Sequence, residues 1–114
     1  MTRTPQDVFV AHESALAAGD IDRILEDYSD DAVLVTADGA LHGPSAIRDW
    51  YVGALGALPE AEFTMGTKVF AEDALLLLWT VSSPNGRIDD GVDTFVFSAG
   101  KIRLHTVSFH VEPA

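Results

Sequence analysis

The sequence predicts an α+β chain in which three N-terminal helices close over a curved antiparallel sheet, forming a cone-shaped α+β roll with a pocket open at one end. Two observations carry this. Apolar periodicity switches once along the chain, from helical spacing before Pro59 to alternation after Glu62. The second half also carries apolar residues at both parities, so both faces of its sheet need cover.

Thr4-Pro5-Gln6-Asp7 reads as a helix start, with a capping threonine, proline in the first turn and an acid three residues on. Val8, His12, Ala15 and Leu16 then share one face, and Gly19 ends the helix. Asp20 caps a second short helix with Ile21, Ile24, Leu25 and Tyr28 on its apolar face. A small strand pair follows, Ala32 to Thr36 and Ala40 to His42, turning at Asp38-Gly39. Gly43-Pro44 opens a third helix whose stripe is Ile47, Trp50, Tyr51, Ala54, Leu55 and Leu58, and which ends by Pro59.

Four strands are expected after that: Phe63 to Phe70, Ala74 to Ser82, Ile88 to Phe97, and Lys101 to Val111. Asn85-Gly86 is the strongest hairpin signal. A turn there pairs Pro84 with Arg87 and sets Leu78 opposite Asp93, with Leu76, Thr80 and Ser82 on the same face. The opposite face then receives Leu75, Leu77, Trp79, Val81, Val92, Val96, Ile102 and Leu104. Three helices cover only one face of such a sheet, so the other predicts a homodimer formed sheet to sheet, burying on the order of 1,200 to 2,000 Å² or more.

Ser98-Ala99-Gly100 reads as a three-residue loop, which pairs Phe97 with Lys101 and sets Asp93 opposite His105. A tighter loop at Ala99-Gly100 would instead set Asp93 opposite Thr106. In the first register an acid faces an imidazole among Phe95, Phe97, Val107 and Phe109, a candidate acid/base pair. A carboxylate in an inward row is costly unless paired, so Asp93 is either functional or a structural couple with His105. His12, on the apolar face of the first helix, is a candidate donor to a ligand carbonyl. It could equally be a core imidazole.

The 114 residues form one domain, 1–114, with 47% hydrophobic content and no cysteine. Eighteen acidic against seven basic residues give a net charge of −11, which argues against an electrostatic grip on nucleic acid. Leu75-Leu76-Leu77-Leu78-Trp79 is too short to span a bilayer, and the N-terminus carries no apolar stretch of signal-peptide length, so a cytoplasmic protein without membrane partners is expected. No histidine spacing suggests a metal site, and Asp89-Asp90-Gly91-Val92-Asp93 lacks a calcium loop's pattern.

The stretches Ala17-Ala18-Gly19-Asp20-Ile21-Asp22, Tyr28-Ser29-Asp30-Asp31-Ala32-Val33 and Gly43-Pro44-Ser45-Ala46-Ile47-Arg48-Asp49-Trp50-Tyr51 resemble the NTF2-like superfamily, and within it the ketosteroid isomerase and SnoaL-like polyketide cyclase group. The resemblance implies an NTF2/cystatin-like roll that works without a cofactor on a small apolar molecule. It places Asp93 on the isomerases' oxyanion-hole aspartate, a site that serves as the worked example of the pKa-tuning principle cited here. It also places Tyr28 and Tyr51 on tyrosines of the supporting network and His12 on the oxyanion-hole tyrosine. Thr36 falls on the general-base aspartate, and a threonine does not shuttle protons at neutral pH. The expected chemistry is therefore an isomerase, dehydratase or cyclase type, with His105 as base, Asp93 its orienting partner and His12 the donor. The expected pocket wall is Tyr28, Thr36, Trp50, Tyr51, Leu78, Thr80, Phe95, Val107 and Phe109.

Overall fold

The computed structural model describes residues 3–114; Met1 and Thr2 lie outside the described residues. Helix α1 spans Pro5–Ala18 and begins as the sequence dictates. The Thr4 hydroxyl accepts from the Asp7 amide while the Asp7 carboxylate accepts from the Thr4 amide, both at 3.1 Å. Gly19 takes φ 65°, the left-handed conformation in which glycine ends a helix without strain. Asp20 caps α2, Ile21–Glu26, and Tyr28 lies beyond that helix at the start of a strand.

Among the described residues the sheet has seven strands: β1 (Tyr28–Thr36), β2 (Gly39–His42), β3 (Glu62–Ala71), β4 (Ala74–Ser83), β5 (Gly86–Ser98), β6 (Lys101–Ser108) and β7 (Glu112–Pro113). Helix α3, Gly43–Ala57, connects β2 to β3. The strand order is β2-β1-β6-β5-β4-β3, with β7 added to β5. Among the described residues all pairs are antiparallel except β1 with β6, which run parallel. The helices pack against one side of this curved, unclosed sheet. Val8 and Phe9 from α1, Ile47 and Tyr51 from α3, and Leu75, Phe95 and Ile102 from the strands form the buried core between the layers.

Two bulges decide which side chains face the helices. The β4–β5 turn lies one residue earlier than the Asn85-Gly86 signal implies, since Ser83 pairs with Gly86. That change alone preserves the alternation. An extra residue at Asp89-Asp90, between the pairs Val81–Ile88 and Trp79–Gly91, then reverses it, and Leu77 rather than Leu78 lies opposite Asp93. Leu75, Leu77, Trp79 and Val81 are consequently buried under the helices, while Leu76, Leu78, Thr80 and Ser82 point outward. The expected faces of β4 are inverted. Ile102 is also buried on the inner side, whereas Val92, Val96 and Leu104 lie on the outer face as expected.

The β5–β6 turn is the tighter one, at Ala99-Gly100, with φ 51° and 76° as a primed hairpin turn requires. By itself it would separate Asp93 from His105. A bulge at Arg103 adds one residue to β6, so Phe95 pairs with His105 and Asp93 with Val107. Asp93 and His105 are therefore diagonal neighbours on one face rather than direct partners.

Candidate functional site

Between the helices and the inner face of the sheet lies a cavity of about 410 Å³ whose wall is almost wholly apolar. Phe9, His12 and Leu16 reach it from α1, Trp50 and Tyr51 from α3, and Leu58 from the C-cap of that helix. The sheet supplies Leu77, Trp79, Asp93, Phe95, His105 and Val107, and Phe109 closes on Trp50 and Trp79 beyond β6.

Three polar side chains of this wall, Asp93, His105 and Tyr51, are linked through Tyr28 behind it. His105 Nε2 stands 3.3 Å from Asp93 Oδ1, at ion-pair distance but out of hydrogen-bonding alignment. On its other side His105 Nδ1 is 2.8 Å from the Tyr28 hydroxyl, which shares a 2.6 Å hydrogen bond with the Tyr51 hydroxyl. The Phe95 ring stacks on the His105 imidazole, with centroids 4.1 Å apart and planes 19° from parallel, and so fixes its orientation. The Asp93 side chain retains 13% exposure against 3% for His105, so the carboxylate is the more open end of the pair.

His12 lies edge-on to Tyr28, Tyr51, Phe95 and His105, and its Nδ1 has no hydrogen-bond partner among the described residues. Burial, reinforced by the nearby His105 ring, pushes its pKa down to about 3. His12 is therefore a neutral imidazole at physiological pH. Burial likewise drives both tyrosine hydroxyls above the usual phenol range: Tyr51 is raised, and Tyr28 is raised further by its neighbour Tyr51. Both remain protonated. The Trp79 indole N–H is a further buried donor without a partner among the described residues.

The structure thus brings together Asp93, His105, His12, Tyr28 and Tyr51, with Trp50, Phe95, Val107 and Phe109 around them. Tyr28 sits behind the cavity wall and meets the site through Tyr51 and His105. Leu78 and Thr80 do not reach the cavity, because the bulge at Asp89-Asp90 turns them outward. Thr36 does not reach it either. It stands at the end of β1, its hydroxyl donating to the Gly39 carbonyl and accepting from the Asp38 amide, beside a separate shallow hollow. Phe63, Met65, Leu77, Trp79 and Val81 were not anticipated in the wall. The Gly91 position is the one sequence signal that could have placed Trp79, since a bare strand position invites a facing ring.

Among the described residues, no group of three His, Asp or Glu side chains is arranged to hold a metal ion. No helix among them is long and apolar enough to cross a membrane.

Known structures share this architecture. A putative polyketide cyclase from Sinorhizobium meliloti is 22% identical, with TM-score 0.78, 89% of this chain and 93% of the other being covered. AclR, a putative hydroxylase from Streptomyces galilaeus, is 18% identical, with TM-score 0.79 and coverage of 93% and 88%. TerC, co-crystallised with polyporic acid, is 15% identical, with TM-score 0.80 and coverage of 93% and 91%. No curated protein sequence matches the chain significantly. The SnoaL-like domain family does match, over residues 9–105, and the chain belongs to that family.

Proposed function

We propose that this protein is a cofactor-independent acid/base enzyme of isomerase, dehydratase or cyclase type that acts on a small, apolar, carbonyl-bearing compound. The observation that carries the reading is Asp93, a carboxylate without an aligned hydrogen bond in an otherwise apolar cavity, 3.3 Å from an imidazole. Such a carboxylate is weakly solvated and has a neighbour able to take up a proton.

The geometry favours a division of roles different from the one the sequence suggests. Both nitrogens of His105 face protein groups, Asp93 on one side and Tyr28 on the other. Asp93, the more exposed partner, is therefore the base that meets the substrate, and His105 positions it. His12, neutral and unpartnered at Nδ1, supplies or accepts a hydrogen bond at the substrate oxygen. Trp50, Tyr51, Phe95, Val107 and Phe109 hold the apolar body. The names of the similar structures, a putative polyketide cyclase among them, fit a small-molecule role on this fold.

The test is deuterium exchange at the α-carbon of 2-tetralone in D2O. The reading predicts exchange faster than with equal concentrations of free imidazole and acetate. If apolar ketones bind saturably but exchange no faster, the site is a non-catalytic small-ligand module.

A second copy of the chain completes the proposal. Leu76 and Leu78, 42% and 37% exposed, stand on the outer face with Val92, Val96 and Leu104, an apolar surface suited to a sheet-to-sheet homodimer.

A further inference from the structure

We propose that Asp93, His105, Tyr28 and Tyr51 form a proton relay with both ends in the cavity, which interconverts a bound ketone and its enol by switching the tautomer of His105. The inference rests on the acid/base reading above and assigns its substrate class as an enolisable ketone. It also gives Tyr28, which does not line the cavity, a part in the reaction.

Two hydrogen bonds, 2.8 Å from His105 Nδ1 to the Tyr28 hydroxyl and 2.6 Å from there to the Tyr51 hydroxyl, extend from an ion-pair contact of 3.3 Å between Asp93 Oδ1 and His105 Nε2, which a small rotation of the carboxylate aligns for proton transfer. Asp93 and Tyr51 both line the cavity, so the relay leaves it at one end and returns at the other. Every link is a group that can give one proton and accept another.

With ketone bound, Tyr51 donates to the carbonyl oxygen, Tyr28 to Tyr51, and the His105 Nδ1–H to Tyr28. Asp93 removes the α-proton. The C–H pair becomes the C=C bond, and the carbonyl π pair moves to oxygen, which takes the Tyr51 proton. Tyr51 is refilled from Tyr28 and Tyr28 from His105 Nδ1, while His105 Nε2 receives the proton that Asp93 took from carbon. The balance is ketone to enol and Nδ1–H to Nε2–H, with the carboxylate and both phenols as they began. The enol form runs the same steps backward.

This path suits the site because it leaves no new charge behind. Burial disfavours a tyrosinate at Tyr28 or Tyr51 within the relay and an imidazolium at His12 beside it. A tautomer switch needs none of them. The stack of Phe95 on His105 holds the imidazole between Asp93 and Tyr28.

The experiment reads the His105 tautomer by 15N NMR in the protein alone, with 2-tetralone as the ketone and with 2-naphthol as a fixed enol mimic. The Nε2–H form is expected in the free protein and with 2-naphthol, and a shift toward Nδ1–H with 2-tetralone. Tyr28→Phe should abolish that response, retain 2-tetralone affinity and slow its α-exchange by about tenfold or more. Tyr51→Phe, which keeps the bond between Tyr28 and His105, should abolish the response as well, and serves if Tyr28→Phe does not fold. The same tautomer with both probes in the wild-type protein overturns the relay, as does failure of both to bind at millimolar concentration. Wild-type α-exchange without a tautomer response would overturn the relay alone and leave Asp93 as a base. Bound probes with neither exchange nor response would overturn both readings.

Discussion

The indole of Trp79 lies over Gly91 of the neighbouring strand, so close that a Cβ on Gly91 would collide with the ring. No side chain fits there unless the ring moves. Gly91→Ala should therefore displace Trp79 from Phe63 and Phe109 and destabilise the fold by about 1–3 kcal/mol, the usual cost of overpacking. Gly56→Ala in α3, where a Cβ meets nothing within 4 Å, should instead stabilise by up to about 1 kcal/mol. Urea midpoints of the two variants, moving in opposite directions, check this.

His12 makes stability fall with acid. Its folded-state pKa of about 3 lies below the ordinary imidazole value of 6.5, so the unfolded chain takes up a proton in that window and the folded chain does not. Stability from this group is full above pH 6.5 and declines toward pH 3, by up to about 1.4 kcal/mol per pH unit. His12→Leu should flatten the dependence. Urea titrations of both proteins between pH 8 and 4 measure the difference, and parallel slopes would show that the imidazole is not buried neutral.

Asp90 and His110 pin the segment that follows β6. The His110 backbone amide donates to Asp90 Oδ1 at 2.9 Å, and its ring N–H to Oδ2 at 2.7 Å. The His110 ring bond holds the Asp90 carboxyl below its usual range, and Asp90 in turn raises the His110 imidazole. The sign differs for the two groups: the histidine's contribution is lost as pH rises through its raised value, the aspartate's as pH falls through its lowered one. The clasp is thus strongest in mildly acidic solution. Hydrogen exchange at the His110 amide should be slowest there once corrected for intrinsic rate, and Asp90→Asn should remove the dependence.

The assembly proposal makes an asymmetric prediction for two adjacent leucines. Leu78→Asp, on the outer face, should yield a folded monomer by light scattering with helical content intact. Leu77→Asp, which buries a charge against the core, should unfold the chain. A wild-type monomer at micromolar concentration would remove the homodimer.

What the sequence could and could not reveal follows from the range of the forces involved. The capping box at Thr4 and the left-handed Gly19 are settled within a few residues of chain, and the helix starts and ends accordingly. The partnership of Asp93 with His105 was legible in kind but not in register, because the tight Ala99-Gly100 turn and the Arg103 bulge together shift the pairing by two residues and leave the alternation intact. On β4 a single bulge at Asp89-Asp90 had no such compensation, so Leu78 and Thr80 exchanged faces with Leu77 and Trp79. A bulge is a compromise among strand twist, cover and neighbouring side chains, and a period-two pattern carries no mark of it. Thr36 failed for a related reason, since its place in the family pattern does not survive the local turn that ties its hydroxyl to Gly39 and Asp38.

The most direct test of Asp93 as the base is the α-exchange rate of 2-tetralone with Asp93→Asn, compared with wild type and His12→Leu. Asparagine keeps the size and the contact with His105 but accepts no proton, so the rate should fall by roughly 10² to 10⁴ with little change in ligand affinity. His12→Leu should cost less, because it removes one hydrogen-bonding group and leaves the base. An Asp93→Asn protein that is folded, binds 2-tetralone and exchanges it at the wild-type rate would contradict the account.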